Sequence, residues 1–267
     1  MSQSALLLLI LAATVRCAPG GAVQQKMSVP QGRIVNGEEA EPGEFPFMLS
    51  LQQGEAHWCG ASILNEQWGI TAAHCLKQVN PYGVLAGTIQ LKEGGMRHNV
   101  TEIYIHADYN ASDSYVNDIG VFRVTPDFQF DGEIVAPIPL PEQGELLPDG
   151  VNITVMGWGD LWAGGPHPYS LRKVDLTTVN QEECQAVWAT ENDPIYDTQL
   201  CVARFEDINY DSCTGDSGGP LVYEGKLVGL VSWGYRCATP PYPSINTRVS
   251  SYVNWITETT SGSVVPN

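Results

Sequence analysis

The sequence predicts an all-β chain with one short C-terminal helix. Two patterns carry this. The runs Gly83–Gln90, Asn152–Met156, Leu171–Val179 and Lys226–Trp233 are β-branched or alternating, with Gly and Pro between them. By contrast, Val249, Val253 and Ile256 recur at i, i+4 and i+7 with Tyr252 and Trp255 beside them. That is a helical period over Val249–Glu258, which Ser250 or Ser251 can cap. The chain has 267 residues, 43% hydrophobic and 16% charged, a globular composition with no internal repeat.

Taken in order, the chain opens with an apolar run, Ala5–Thr14. About ten apolar residues suit a signal-peptide core and are too short to span a bilayer. No Lys or Arg precedes the run, and Val15-Arg16-Cys17 offers a small residue for cleavage after Cys17. Residues 1–17 therefore read as a signal peptide, and the mature protein as secreted and extracellular. Loss of Cys17 turns seven cysteines into six, an even number for an oxidising compartment. They show no C-x₂-C spacing, so zinc is not expected. The net charge is −17. Three of the 13 basic residues (Arg16, Lys26, Arg33) and none of the 30 acidic ones lie before Ile34. Without that leader the charge is about −20, which disfavours nucleic acid and anionic membranes and favours basic substrates. No later apolar run reaches membrane-spanning length.

The chemistry is announced by Gly215-Asp216-Ser217-Gly218-Gly219-Pro220. Small neighbours let a carbonyl approach Ser217 and leave backbone N–H groups free beside its hydroxyl. The motif also fits the G-x-S-x-G elbow of α/β-hydrolases, whose order is Ser, acid, His. Every histidine (His57, His74, His98, His106, His167) precedes Ser217, which excludes that order. No Asp precedes His74, so an Asp–His–Ser order cannot use that histidine. The order His, Asp, Ser remains. Thr71-Ala72-Ala73-His74-Cys75 and Asn117-Asp118-Ile119-Gly120-Val121 supply the first two members. Each stretch alone has a structural reading: a histidine packed beside a cysteine, a turn aspartate, a glycine loop.

Together these stretches resemble the chymotrypsin/trypsin family of serine proteases over Ile34–Thr260. The resemblance implies two antiparallel six-stranded β-barrels packed together, meeting around Pro137–Gly150, with the active site between them. It implies His74 as general base, Asp118 as its orienting partner, Ser217 as nucleophile, and the Gly215 and Ser217 N–H groups as oxyanion hole. Gln31-Gly32-Arg33-Ile34-Val35-Asn36-Gly37 is similar to the family's activation site. Residues 18–33 are then an activation peptide and 34–267 the protease domain. Cleavage after Arg33 frees the Ile34 amine to pair with buried Asp216. The disulfides implied are Cys59–Cys75, Cys184–Cys201 and Cys213–Cys237. Ile153 and Tyr223 stand where a further pair is frequent in trypsins.

The primary specificity pocket implied by the resemblance has Asp211 at its base, with Ser212, Ser232, Gly234 and Ser244 around it. A carboxylate there selects Arg or Lys, Arg bidentately. Three residues depart from trypsins: Ser244 and Arg236 replace glycines and Asn246 replaces tyrosine. The alternatives are therefore non-tryptic specificity on the same machinery, or a catalytically silent binding homologue. The stretch Gly87-Thr88 to Glu93-Gly94-Gly95-Met96 resembles the calcium loop, but Thr88 and Met96 stand where carboxylates are usual. Too few oxygen ligands remain, and no metal or cofactor is expected. The sequons are Asn99, Asn110 and Asn152, the last opening an expected strand that limits access. The partners implied are protein or peptide substrates, an activating trypsin-like protease and proteinaceous inhibitors, with the protein a monomer.

Overall fold

The computed structural model describes residues 37–77, 81–161, 164–204, 212–235 and 240–261. The expected signal and activation segments lie outside the described residues, as do Arg33, Ile34, Asp211, Arg236 and Cys237.

After a two-residue strand β1 (Glu38–Glu39), six strands close the first barrel. They are β2 (Met48–Gln53), β3 (Ala56–Ile63), β4 (Trp68–Thr71), β5 (Tyr82–Ala86), β6 (Met96–Ile105) and β7 (Gly120–Thr125). The ring runs β2-β3-β4-β7-β6-β5, every pair antiparallel. The second barrel uses β8 (Asn152–Gly157), β9 (Arg172–Thr178), β10 (Gln199–Ala203), β11 (Pro220–Tyr223), β12 (Lys226–Trp233) and β13 (Ser244–Arg248). Its ring runs β8-β9-β10-β13-β12-β11 and back to β8, with β1 added on β9. The segment between the barrels bonds to both: Ile138 N donates to Ile63 O and Leu227 N to Pro139 O.

Side-chain alternation explains the closure. Along β9, Arg172, Val174, Leu176 and Thr178 are buried, and Lys173, Asp175 and Thr177 face outward. Val174 and Leu176 pack with Ile153, Val155, Leu200, Val202, Leu221, Val228 and Val231 to fill the second barrel. Ile153 belongs to that core and Tyr223 packs against it, so apolar contact fills the place of the absent cysteine pair. In the first barrel the fully buried Phe122 lies over Gly69, where a methyl group would come within 2.3 Å of Cζ. Cys59–Cys75 and Cys184–Cys201 are disulfides, and Cys213 is also disulfide-bonded.

Two helical details differ from expectation. Helix α1 (Gln181–Trp188) was not expected from the hydrophobic pattern. Its signal is at its start. The Asn180 side chain accepts from Glu182 N and Glu183 N, and both glutamates sit in the first turn. Only Cys184 and Trp188 are buried, too few for a visible period. The C-terminal helix begins later than expected: Val249–Ser251 form a 3-10 turn and α2 runs Val253–Thr260. Neither Ser250 nor Ser251 caps it. Their carbonyls accept from Gly144 N and Gln143 Nε2. The cap comes from outside, with Gln143 Oε1 accepting from Asn254 N at 2.9 Å.

Gly69→Ala should displace the Phe122 ring and cost about 1–3 kcal/mol. Urea unfolding checks this, and Gly69→Ala/Phe122→Leu should recover part of the loss. A neutral single substitution would show that Phe122 does not fix this contact.

Candidate active site

His74 lies in a 3-10 turn, Ala73–Leu76, that follows β4 and is tied to β3 by the Cys59–Cys75 bridge. Asp118 immediately precedes Ile119 and β7 and is 1% exposed. A buried carboxylate must find donors, and this one takes three. His74 N donates to Oδ1 at 2.9 Å, His74 Nδ1 to Oδ2 at 2.7 Å, and Ser232 Oγ to Oδ2 at 2.6 Å. Thr247 Oγ1 donates to the Asp118 carbonyl at 2.7 Å. His74 and Asp118 come from the first barrel, Ser232 and Thr247 from the second. The approach to Asp118 is bent: Ser114, Tyr115 and Asn117 all have left-handed backbones (φ 46°, 53° and 58°). Neighbours hold this bend: Gln199 Nε2 donates to Ser114 O at 2.7 Å and Tyr252 Oη to Asn117 Oδ1 at 2.8 Å. The Tyr115 ring stands edge-on to His74 at 5.9 Å and stacks on Trp233 at 6.5 Å.

Ser217 sits on the turn before β11, with its carbonyl oxygen beside the Cys59–Cys75 bridge. Cys75 Sγ lies 3.7 Å from His74 Nε2 and 3.5 Å from the Ser217 carbonyl oxygen, which also accepts from Gly60 N at 2.8 Å. The glycines around Ser217 are required by space. A methyl on Gly218 would lie 1.9 Å from Thr71 Oγ1, and one on Gly60 2.6 Å from Gly219 Cα. Asp216 is fully buried. Its Oδ1 accepts from Gly159 N and its Oδ2 from Cys213 N, each at 2.8 Å. A methyl on Gly157 or Gly159 would collide with that carboxylate at 2.1 or 2.5 Å. The N–H groups of Gly215 and Ser217 make no hydrogen bond among the described residues.

Gly215 is held through its carbonyl. His57 Nε2 donates to it at 2.9 Å, while His57 Nδ1 lies 2.8 Å from Ser50 Oγ. Because a carbonyl only accepts, Nε2 carries the hydrogen and Nδ1 accepts from Ser50. Burial pulls the His57 pKa from 6.5 down to about 4. The Gly215 bond works against that shift, and the charge of His167 adds to it.

Around the expected pocket, Ser212, Ser232, Ser244 and Asn246 are all buried. A methyl on Gly234 would lie 3.7 Å from Ser244 Cα, so these two residues face each other. Asn246 Nδ2 donates to Leu200 O and Ser244 O, and Asn246 Oδ1 has no partner among the described residues. In the 87–96 loop, Thr88 Oγ1 donates to Glu93 O at 2.8 Å and accepts from Gln90 N at 2.9 Å. Cys59, His74 and Cys75 cluster, but the two sulfurs are bonded to each other and offer no thiolate to a metal. All three sequon asparagines are exposed. This corrects the expectation for Asn152, whose side chain points outward from the first position of β8. Sequence reasoning missed His57, Thr247 and Tyr115. Each acts through a partner distant in sequence or through a loop with no motif. No helix among the described residues is long and apolar enough to cross a membrane.

The family model described as Trypsin matches residues 34–256. The chain is 35% identical over 235 residues to a trypsin of Phaedon cochleariae, covering 86% of this chain and 90% of the relative. It is 37% identical to trypsin alpha-4 of Lucilia cuprina, covering 94% and 97%. It is 39% identical to trypsin-1 of Astacus astacus, covering 84% and 98%.

The His57 shift has a stability consequence. Unfolded, this ring takes a proton near pH 6.5, whereas in the fold it stays neutral until about pH 4. Its contribution is thus fully present above pH 6.5 and is lost as pH falls toward 4, by a few kcal/mol at most. Thermal melts of His57→Gln should show a flatter pH dependence than the parent in that window. Parallel curves would remove this assignment.

Proposed function

The chain belongs to the trypsin family, and from that premise we propose that it is a secreted serine endopeptidase, made as a zymogen and cleaving after Arg or Lys. The observation that carries this is the hydrogen-bonded chain from Ser232 through Asp118 to His74, with Ser217 beside the same disulfide. In this reading Ser217 Oγ attacks the substrate carbonyl and its proton passes to His74 Nε2. Asp118 holds the Nδ1–H tautomer and stabilises the imidazolium. The N–H groups of Gly215 and Ser217 receive the oxyanion. His74 then protonates the leaving amine, and water, deprotonated by the same ring, releases the acyl group. The substrates are proteins or peptides. The carboxylate of Asp216 fits the role of partner for a new Ile34 amine, because such a buried charge needs compensation.

A second reading, non-tryptic specificity, is favoured by one observation: Ser244 is buried, with its hydroxyl 3.8 Å from where a Gly234 side chain would begin. Profiling the activated protein on peptides with varied P1 residues separates the two. Asp211→Ser should lower kcat/KM for Arg substrates by roughly two to four decades if Asp211 reads the cation. A preference for Phe, Tyr or Leu in the parent would shift attention to Ser244.

For the reaction itself, Ser217→Ala or His74→Ala should each reduce kcat by up to about a millionfold, and the double variant little further. Labelling by a fluorophosphonate should require Ser217 and cleavage after Arg33. Arg33→Gln should leave the chain uncleaved and nearly inactive. Parent-like turnover in Ser217→Ala rejects the mechanism.

A further inference from the structure

His167 has no part in the scheme above, yet it stands against Gly215. A methyl built on Gly215 would lie 2.9 Å from His167 Cε1 and 3.1 Å from its Nδ1. The imidazole therefore fills the space beside the Gly215 backbone, while His57 holds the Gly215 carbonyl. His167 Nδ1 is 3.3 Å from the Trp158 carbonyl oxygen and 3.4 Å from Asp160 Oδ1. With a carbonyl beside it, Nδ1 bears the hydrogen.

Asp160 makes this placement matter. Its side chain is 9% exposed, against 50% for His167. Its backbone N donates to Thr214 O at 2.7 Å, fixing it against the turn that carries Gly215. A poorly solvated carboxylate there opposes negative charge developing on an oxygen held by the Gly215 N–H. A protonated His167 offsets it. The other titratable groups around the ring are few among the described residues. His57, with ring centroids 6.4 Å away, is held neutral by burial. Asp216, next after Gly215, directs its carboxylate to Gly159 N and Cys213 N. Two residues beyond His167, Lys92 Nζ lies 3.8 Å from the Tyr169 ring centroid.

We propose that His167 is a positioning residue of the oxyanion site: anchored on Trp158 and Asp160, it braces Gly215 and, when charged, cancels the Asp160 carboxylate. The proposal rests on the serine-protease reading. It predicts that this pair tunes kcat rather than substrate binding.

The test compares the activated parent with His167→Asn, Asp160→Asn and the double variant on an Arg peptide anilide from pH 8.5 to 5.5. The ratio of parent to His167→Asn kcat cancels pH effects common to both proteins. It should rise about two- to fivefold from the alkaline to the acidic end of that series, the size expected for a half-exposed ion pair. KM and melting temperature should stay close to parent. Asp160→Asn added to His167→Asn should restore kcat. A flat ratio, an effect confined to KM or melting temperature, or no restoration overturns the proposal. His167→Gln repeats the comparison if the Asn variant does not fold. A parent that neither turns over nor labels at Ser217 instead rejects the serine-protease reading, and the proposal falls with its premise.

Discussion

The rest of the cleft depends on one buried carboxylate, Asp118. Removing it from water is tolerable only because donors from both barrels converge on it. Two come from His74, which fixes that ring and, through the Cys59–Cys75 bridge, the edge of β3. The third, from Ser232, requires the second barrel to dock with β12 at the right depth. The carboxylate therefore works as a docking gauge. If the barrels shifted by an ångström, a buried acceptor would lose a donor, at a cost of 1–3 kcal/mol or more. The same arrangement that satisfies the charge orients the imidazole.

Close backbone approach is the second constraint and it follows from the first. For the barrels to meet at Asp118, the chain around Gly60, Gly218 and Gly219 must come nearer than any Cβ allows. Gly157 and Gly159 play the same part behind Ser217, making room for Asp216. The turn with Ser217 is thus held by a carboxylate beneath it, a disulfide beside it and His57 on the Gly215 carbonyl. Little freedom is left for the two N–H groups, which are directed by their surroundings rather than by bonds of their own.

How much of this was legible depended on where each partner lies in the sequence. Ser217, His74 and Asp118 stand in stretches whose small residues advertise close packing, and chain order alone removed two competing arrangements. The alternating runs located β8, β9 and β12. Helix α1 escaped because it shows only two buried positions, although Asn180 followed by Glu183 is a readable cap signal. The cap of α2 was assigned to nearby serines, whereas Gln143, 111 residues away, supplies it. His57 and Gly215 are separated by 158 residues and Thr247 and Asp118 by 129. Neither separation leaves a periodic or motif trace, since what joins the partners is the docking of two barrels.

The strained approach to Asp118 shows why that docking also reaches the chemistry. Ser114 and Tyr115 hold left-handed backbones that side chains other than Gly, Asn and Asp rarely adopt, each costing on the order of a kcal/mol. Part of this is offset locally, where Val116 N donates to Asp113 O and Asn117 Nδ2 to Asp108 O, each at 2.9 Å. The rest comes from the second barrel and the C-terminal region, where Gln199 and Tyr252 supply further bonds and Trp233 supplies a stacking surface. A first barrel folded alone would lack these partners, and the loop would relax toward ordinary dihedrals, taking Asp118 with it. Alignment of the carboxylate with His74 is therefore a property of the assembled pair of barrels. The geometry that our reading assigns to catalysis forms only when the cleft itself has formed.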